Sequence, residues 1–208
     1  MTLTRTLPRR AALMVATATA ALVLAACGGD HEGHGSSSSA SSSSPGSART
    51  HNDQDVVFAQ GMIPHHRQAL EMAALAADRA SSAQVVDLAA RIEKAQDPEI
   101  RTLTGWLEAW GEAVPEAGAT DHSSHSGTAG MMDEADMEKL EKASGKAFDT
   151  AFLAMMVEHH EGAVAMARTE QDKGRHGPAK EMAGDIVTGQ QAEIEEMNEL
   201  LGKQGAEG

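Results

Sequence analysis

The 208 residues contain no tyrosine, and aromatic side chains supply only 2% of them: three Phe and two Trp. Core packing must therefore come from aliphatic residues and twelve methionines. Aromatic platforms for stacking bases are almost absent. Basic residues are scarce too. Of 17 Lys/Arg and 31 Asp/Glu, four and two respectively precede His51, leaving 13 against 29 in the remainder, a formal charge of −16. That balance, with no basic stripe, excludes nucleic acid as a partner and opposes adhesion of the domain itself to anionic lipid. An acidic field concentrates cations, but solvated helix faces that keep an exported protein soluble explain it equally well. Cysteine occurs once, at Cys27. Disulfides and thiolate metal clusters are thereby excluded, and any soft ligand must be methionine or histidine. No phosphate loop, nucleotide motif or nucleophile–base arrangement is present, so hydrolase and kinase chemistry have no support.

The N-terminus reads as targeting sequence. Arg5, Arg9 and Arg10 precede an apolar run from Ala11 to Ala26, too short for a comfortable membrane span and flanked like a signal peptide. Its end, Leu24-Ala25-Ala26-Cys27, resembles a bacterial lipobox. That resemblance implies a signal peptide over 1–26, cleavage before Cys27, acylation of Cys27, and attachment to a membrane through the lipid. The Arg9-Arg10 pair leaves both general and twin-arginine export open. Residues 27–50 then form a lipid-anchored tether rich in Ser and Gly, spanning roughly 25–30 Å on average. His31 and His34 lie in it as solvated linker residues.

Beyond the tether the chain repeats itself. Phe58, Met62, His65, His66, Ala69, Met72 and Ala73 recur 94 positions later as Phe152, Met156, His159, His160, Ala163, Met166 and Ala167. The same offset carries Asp55 onto Asp149, Ala89 onto Ala183, Ile92 onto Ile186, Gln96 onto Gln190, Glu99 onto Glu193, and Ile100 onto Ile194. One supersecondary unit is used twice, each copy covering the other's apolar face. Because polar, metal-capable side chains recur with the core residues, the repeat bears on function.

Alanine, leucine, methionine, glutamate and lysine dominate, and almost nothing reads as strand. The stripe Phe58, Met62, His65, Ala69, Met72, Ala76 alternates steps of four and three, predicting a helix over about 53–79 with one buried face. Ser81-Ser82-Ala83-Gln84 predicts a capping box opening a second helix to about Trp110. A short helix over about 133–143 and a third repeat helix over about 146–172 follow. Gly177-Pro178 starts the last helix, and Gly202 ends it. Pro64 and Pro98 lie inside helices and predict local bends. The domain spans 51–203, with repeats at about 53–110 and 146–203 and a linker at 111–145 that contains His122 and His125. The fold class is all-α: two antiparallel helix hairpins packed as a four-helix bundle, with a short extra helix. One long crossover of this kind characterises ferritin-like bundles.

In an antiparallel hairpin, turns centred near Ser81 and Gly174 set His65 opposite Gln96, Met62 opposite Glu99, and His159 opposite Gln190. Each hairpin then carries a histidine–glutamine–carboxylate layer at mid-height. Met62, His65, His66, Met156, His159 and His160 are the candidate metal ligands. Thioether with imidazole suits copper, the thioether favouring Cu(I). Gln96, Glu99, Gln190 and Glu193 lie behind them, placed to orient the imidazoles. Met72, Met166, Met182 and Met197 read as core filling, and His122, His125, Met131 and Met132 as surface residues. Exposed Trp106 and Trp110 offer a surface for a homodimer.

The doubled F-x-x-x-M-x-x-H-H-x-x-A-x-x-M-A block resembles the bacterial family called domain of unknown function 305. So do the two Q-x-x-E-I blocks, Gly130-Met131-Met132 leading into the third repeat helix, and Phe148-Asp149. The resemblance covers residues 51–203. It implies a ferritin-like helical fold, export from the cytoplasm and, in some members, copper binding or copper tolerance, but no settled activity. No E-x-x-H motif occurs in the domain, which argues against a ferritin-type di-iron centre. Three readings stay open: a tethered protein that sequesters or delivers copper without turnover, a metal-dependent oxidase, and a metal-free scaffold whose polar layer specifies packing or binds a partner.

Overall fold

The computed structural model describes residues 50–116 and 129–206, with side chains through Lys203, and every regular element among them is an α-helix. In chain order these are α1 (Asp53–Ala74), α2 (Ala76–Arg79), α3 (Ala83–Trp110), α4 (Glu134–Lys142), α5 (Lys146–Lys173) and α6 (Gly177–Ala206). The signal segment, Cys27, the tether with His31 and His34, and the linker residues His122 and His125 lie outside the described residues.

The helices begin where local chemistry satisfies their free N–H groups. Asn52 caps α1: its side chain accepts from Asp55 N, and the Asp55 carboxylate accepts from Asn52 N. At the other end of the hairpin, α3 stops at Gly111, whose φ of 75° lets its N–H and that of Glu112 return to Leu107 and Glu108 carbonyls. The Ser81–Gln84 capping box does not form. Ser82 is the N-cap of α3 but makes no side-chain cap bond. Ser81 instead donates its hydroxyl and N–H to Asp149, which also accepts from Ser82 N. A buried carboxylate from another helix outcompetes Gln84, because an ionised acceptor makes the stronger bond.

The duplicated position does the same. Asp55 accepts from the N–H groups of Arg175 and His176, which lie 94 residues beyond Ser81 and Ser82. Each aspartate therefore clamps the turn of the opposite hairpin. These clamps place the start of α1 beside the start of α6, and the start of α5 beside the start of α3. It follows that α1 and α5 run antiparallel. Helix α1 packs on α3 and α5, and α5 packs on α6, giving two hairpins related by a pseudo-two-fold axis.

Two apolar clusters fill the bundle on either side of its middle. One gathers Phe58, Ala59, Met62, Ile63, Leu103, Leu107, Ala163, Ala167, Ala183 and Ile186. The other gathers Ala69, Met72, Val85, Leu88, Ile92, Phe148, Phe152, Met156 and Met197, with Leu140 of α4 closing it. Met72 and Met197 are fully buried fillers, while Met166 and Met182 pack at the edge of the first cluster. The chain leaves α3 at the Asp55 end; Pro115 has already reached Arg67, and Met132, just before α4, is bonded to Gln68.

Two other expectations need revision. Helix α6 runs through Gly202 to Ala206, since one glycine costs only about 1 kcal/mol in a helix and nothing there forces a turn. Trp106 and Trp110 are half-buried rather than free. Trp110 stacks on His51 at 4.4 Å between ring centroids, and both indoles meet His176 edge-on at 5.2 Å. Helices α1 and α3 continue through Pro64 and Pro98 without a break.

Candidate metal centre

Between the two apolar clusters the histidines come together. His65, His66, His159 and His160 are all fully buried. The rings of His65 and His159, one from each repeat, lie 3.8 Å apart between centroids with a 38° tilt. His159 and His160 are 6.4 Å apart. Met62 and Met156, each one turn before its histidine pair, are fully buried in the flanking clusters.

The outer members of the layer are repeated bond for bond. His66 Nε2 donates to Glu99 Oε2 at 2.7 Å, and His160 Nε2 donates to Glu193 Oε2 at 2.7 Å. Glutamate therefore faces the second histidine of each pair rather than the methionine, and glutamine does not bond the first. The midpoint of each His–Glu pair lies just inside the next helix, at Ser82/Ala83 and at His176/Gly177. The turns bend later than the glycine and serine positions suggest, because the aspartate clamps seize residues 81–82 and 175–176. That moves the register by about one helical turn.

These bonds fix which ring nitrogens remain available. A carboxylate only accepts, so Nε2 of His66 and of His160 carries hydrogen; in the neutral ring Nδ1 then bears the lone pair. The Ala129 carbonyl lies 3.3 Å from His65 Nε2 and selects the same tautomer there. Nδ1 of His65, His66 and His160, and both nitrogens of His159, are buried with no partner. Burial, then the proximity of His66 and His160, drive the His65 imidazole down to about 3 against the opposing bond to the Ala129 carbonyl. Burial, followed by His65, His160 and His66, holds His159 well below its ordinary range. Both are neutral at physiological pH, so each ring carries hydrogen on one nitrogen and a free lone pair on the other. The side chains of Gln96 (both polar atoms) and Gln190 (Oε1) are also buried without partners.

A histidine whose other nitrogen is hydrogen-bonded to a carboxylate or carbonyl has the arrangement of a metal ligand. With two thioethers in the neighbouring layers, the donor set fits a soft ion that accepts few ligands, such as Cu(I). Among the described residues, no three His, Cys, Asp or Glu side chains stand as a finished metal cage.

The α1–α5 side of the layer is sealed by a strap that sequence reasoning assigned to the surface. Ala129 O reaches His65, while Gln68 and Met132 exchange two 2.8 Å bonds, side chain to backbone. Gly130, at φ 84°, lies against Gly162; a Cβ on Gly162 would fall 1.8 Å from Ala129 O. Gln68 and Gly162 occupy the same repeat position, so one half supplies a hook and the other a recess. Their difference is the sequence signal for the strap.

The profile of the family described as Domain of unknown function (DUF305) matches residues 55–201. A DUF305 protein from Streptomyces coelicolor, thought to be secreted, superposes with a TM-score of 0.66 at 33% identity, over 73% of this chain and 94% of its own. A DUF305 fragment from Deinococcus radiodurans gives 0.65 at 32% identity, over 73% and 97%. CopM in its Cu(II)-bound form gives 0.63 at 29% identity, over 72% and 96%, and CopM is also solved bound to Cu(I) and to silver. No curated protein matches the chain significantly. Profile, solved relatives and doubled histidine blocks agree: the chain belongs to the DUF305 family.

Proposed function

We propose that this protein is an extracytoplasmic lipoprotein that sequesters or hands on copper, anchored through acylated Cys27 and tethered by residues 27–50, with the bundle over 51–203 as its working part. The ligands are drawn from Met62, His65, His66, Met156, His159 and His160. Glu99 and Glu193 hold the outer imidazoles in the required tautomer, and Gln96 and Gln190 line the approach.

The observation that carries this reading is the set of five ring nitrogens buried without hydrogen-bond partners. A polar layer that served packing alone would be satisfied, because an unpaired buried polar group costs about 1–3 kcal/mol. A bound ion removes that cost for several groups at once. The copper-bound and silver-bound forms of a 26–29% identical neighbour support the same metal class.

Calorimetry with Cu(I), Cu(II) and Zn(II) tests it. The wild-type protein is expected to bind Cu(I) most tightly, without oxygen-dependent turnover. His65→Ala/His159→Ala is expected to weaken Cu(I) binding by at least ~100-fold, since it removes ligands rather than their supports. Equal affinity in wild type and double variant would overturn the central site.

A further inference from the structure

The histidine layer is covered by the strap on one side, and on the other the residues that flank it line a cleft. The strap closes the α1–α5 side by backbone contact at Gly130 and Gly162. On the opposite side, a cleft of about 60 Å³ opens between α3 and α6, lined by Ala95, Gln96, Glu99 and their counterparts Gly189, Gln190 and Glu193, with Asp185 and Ile186. Ala95 and Gly189, Gln96 and Gln190, and Glu99 and Glu193 are three repeat pairs, so the cleft straddles the pseudo-two-fold axis.

From the proposed function it follows that the ion needs a way in, and we infer that the α3–α6 cleft is the port through which a cation reaches and leaves the buried imidazoles. Three observations carry this. Glu99 and Glu193 bridge the two environments: their side chains are 24% and 16% exposed, yet each bonds a wholly buried imidazole. A carboxylate so placed meets an arriving cation in solvent and passes it inward to the ring it already touches. Gln96 and Gln190 are 2% and 5% exposed and line this cleft with unpartnered amide atoms. Unpaired amide oxygens at that depth are stepping points for an ion shedding water. Finally, a volume of about 60 Å³ accommodates several waters or a partly hydrated ion, where roughly 10–15 Å³ suffices for one water.

The exposed lips are Ala95 and Gly189, neither of which has a place in the ligand set. A Cβ added at Gly189 meets nothing within 4 Å, so a larger side chain there is accepted by the helix and projects at the cleft. Ala95→Leu/Gly189→Leu on the full chain should cork the port. Stopped-flow transfer of Ag(I), and of Cu(I) from a chromogenic chelator, is expected to slow at least tenfold in both directions with the equilibrium affinity unchanged. The double substitution Glu99→Gln/Glu193→Gln should slow uptake and flatten its dependence on ionic strength. Should the corked variant fold badly, each single leucine variant gives the same reading at smaller amplitude.

Wild-type rates in the corked variant and in each single leucine variant, with binding still lost in His65→Ala/His159→Ala, would overturn the port and leave the central site standing. Binding that survives in the histidine variant would fell the central site itself. An affinity change that tracks the rate change would also contradict the port, since a gate alters speed and not equilibrium.

Discussion

Glu170→Gln is expected to raise the melting temperature by roughly 10 °C at pH 8.5 while leaving it almost unchanged at pH 4.5. Glu170 is fully buried beside Asp55, and neither of its oxygens has a hydrogen-bond partner. Burial, then the neighbouring Asp55 carboxylate, push its carboxyl up from 4.5 to about 8 against a smaller opposing effect of Gln54 and Lys180. Burial raises Asp55 too, but the neighbouring Glu170 and the N–H groups of Asn52, His176 and Arg175 outweigh it and hold Asp55 low. Glu170 therefore keeps its proton beside an ionised Asp55.

The direction of the pH effect follows. Between pH 4.5 and 8 the native state holds a proton on Glu170 that the unfolded chain has released. Stability from this group is complete below pH 4.5 and is lost as pH climbs through 8. At about 1.4 kcal/mol per pKa unit the loss is on the order of 4 kcal/mol. Glutamine keeps the size of the protonated acid but cannot ionise. Melting curves from pH 4.5 to 9 check this, and a stability difference that stays constant across that range would refute the buried proton. Asp55 works in the opposite sense, its stabilisation failing as pH drops below the ordinary carboxylate range.

Asp149→Ala is expected to cost about 3–5 kcal/mol, among the largest effects of any single substitution outside the apolar clusters. Asp149 is 1% exposed and accepts three hydrogen bonds, from Ser81 N, Ser81 Oγ and Ser82 N. Bonds to a charged group contribute about 1.5–3 kcal/mol each, and truncation leaves two backbone N–H groups unsatisfied at the start of α3. The clamp also sets where the first hairpin turns, so the His66–Glu99 pairing should loosen with it. Asp149→Asn keeps the size but loses the charge and half the acceptor capacity, and should fall between. Urea denaturation gives the values; a loss below about 1 kcal/mol for the alanine variant would show that the clamp is incidental.

Much of this was legible because the chain is written twice. The 94-residue offset exposed both hairpins and the buried stripes, and it marked Asp55 and Asp149 as a pair before their role was known. What the periodicity could not supply was the exact pivot of each turn. Helical spacing places His65 and His66 on the same buried side, but it takes the clamps at Ser81–Ser82 and Arg175–His176 to decide that Glu99 meets His66.

The asymmetric features were harder to see. Glu170 stands where the first repeat has Ala76, and Gly162 where it has Gln68. A lone difference between copies looks like drift until the structure shows a carboxyl pair in one case and a strap in the other. Glu170 also gave no warning from its neighbours, because Asp55 is 115 positions away and meets it only once α1 and α5 lie antiparallel.

The central claim is that an ion settles among the buried imidazoles. Titrating ¹⁵N-histidine-labelled protein with diamagnetic Ag(I) and following the ring nitrogens tests it most directly. The account predicts large shifts at His65 and His159, then at Nδ1 of His66 and His160, saturating at a fixed stoichiometry while His51 and His176 stay still. Shifts confined to His31, His34, His122 and His125, with the four buried rings unmoved, would contradict it.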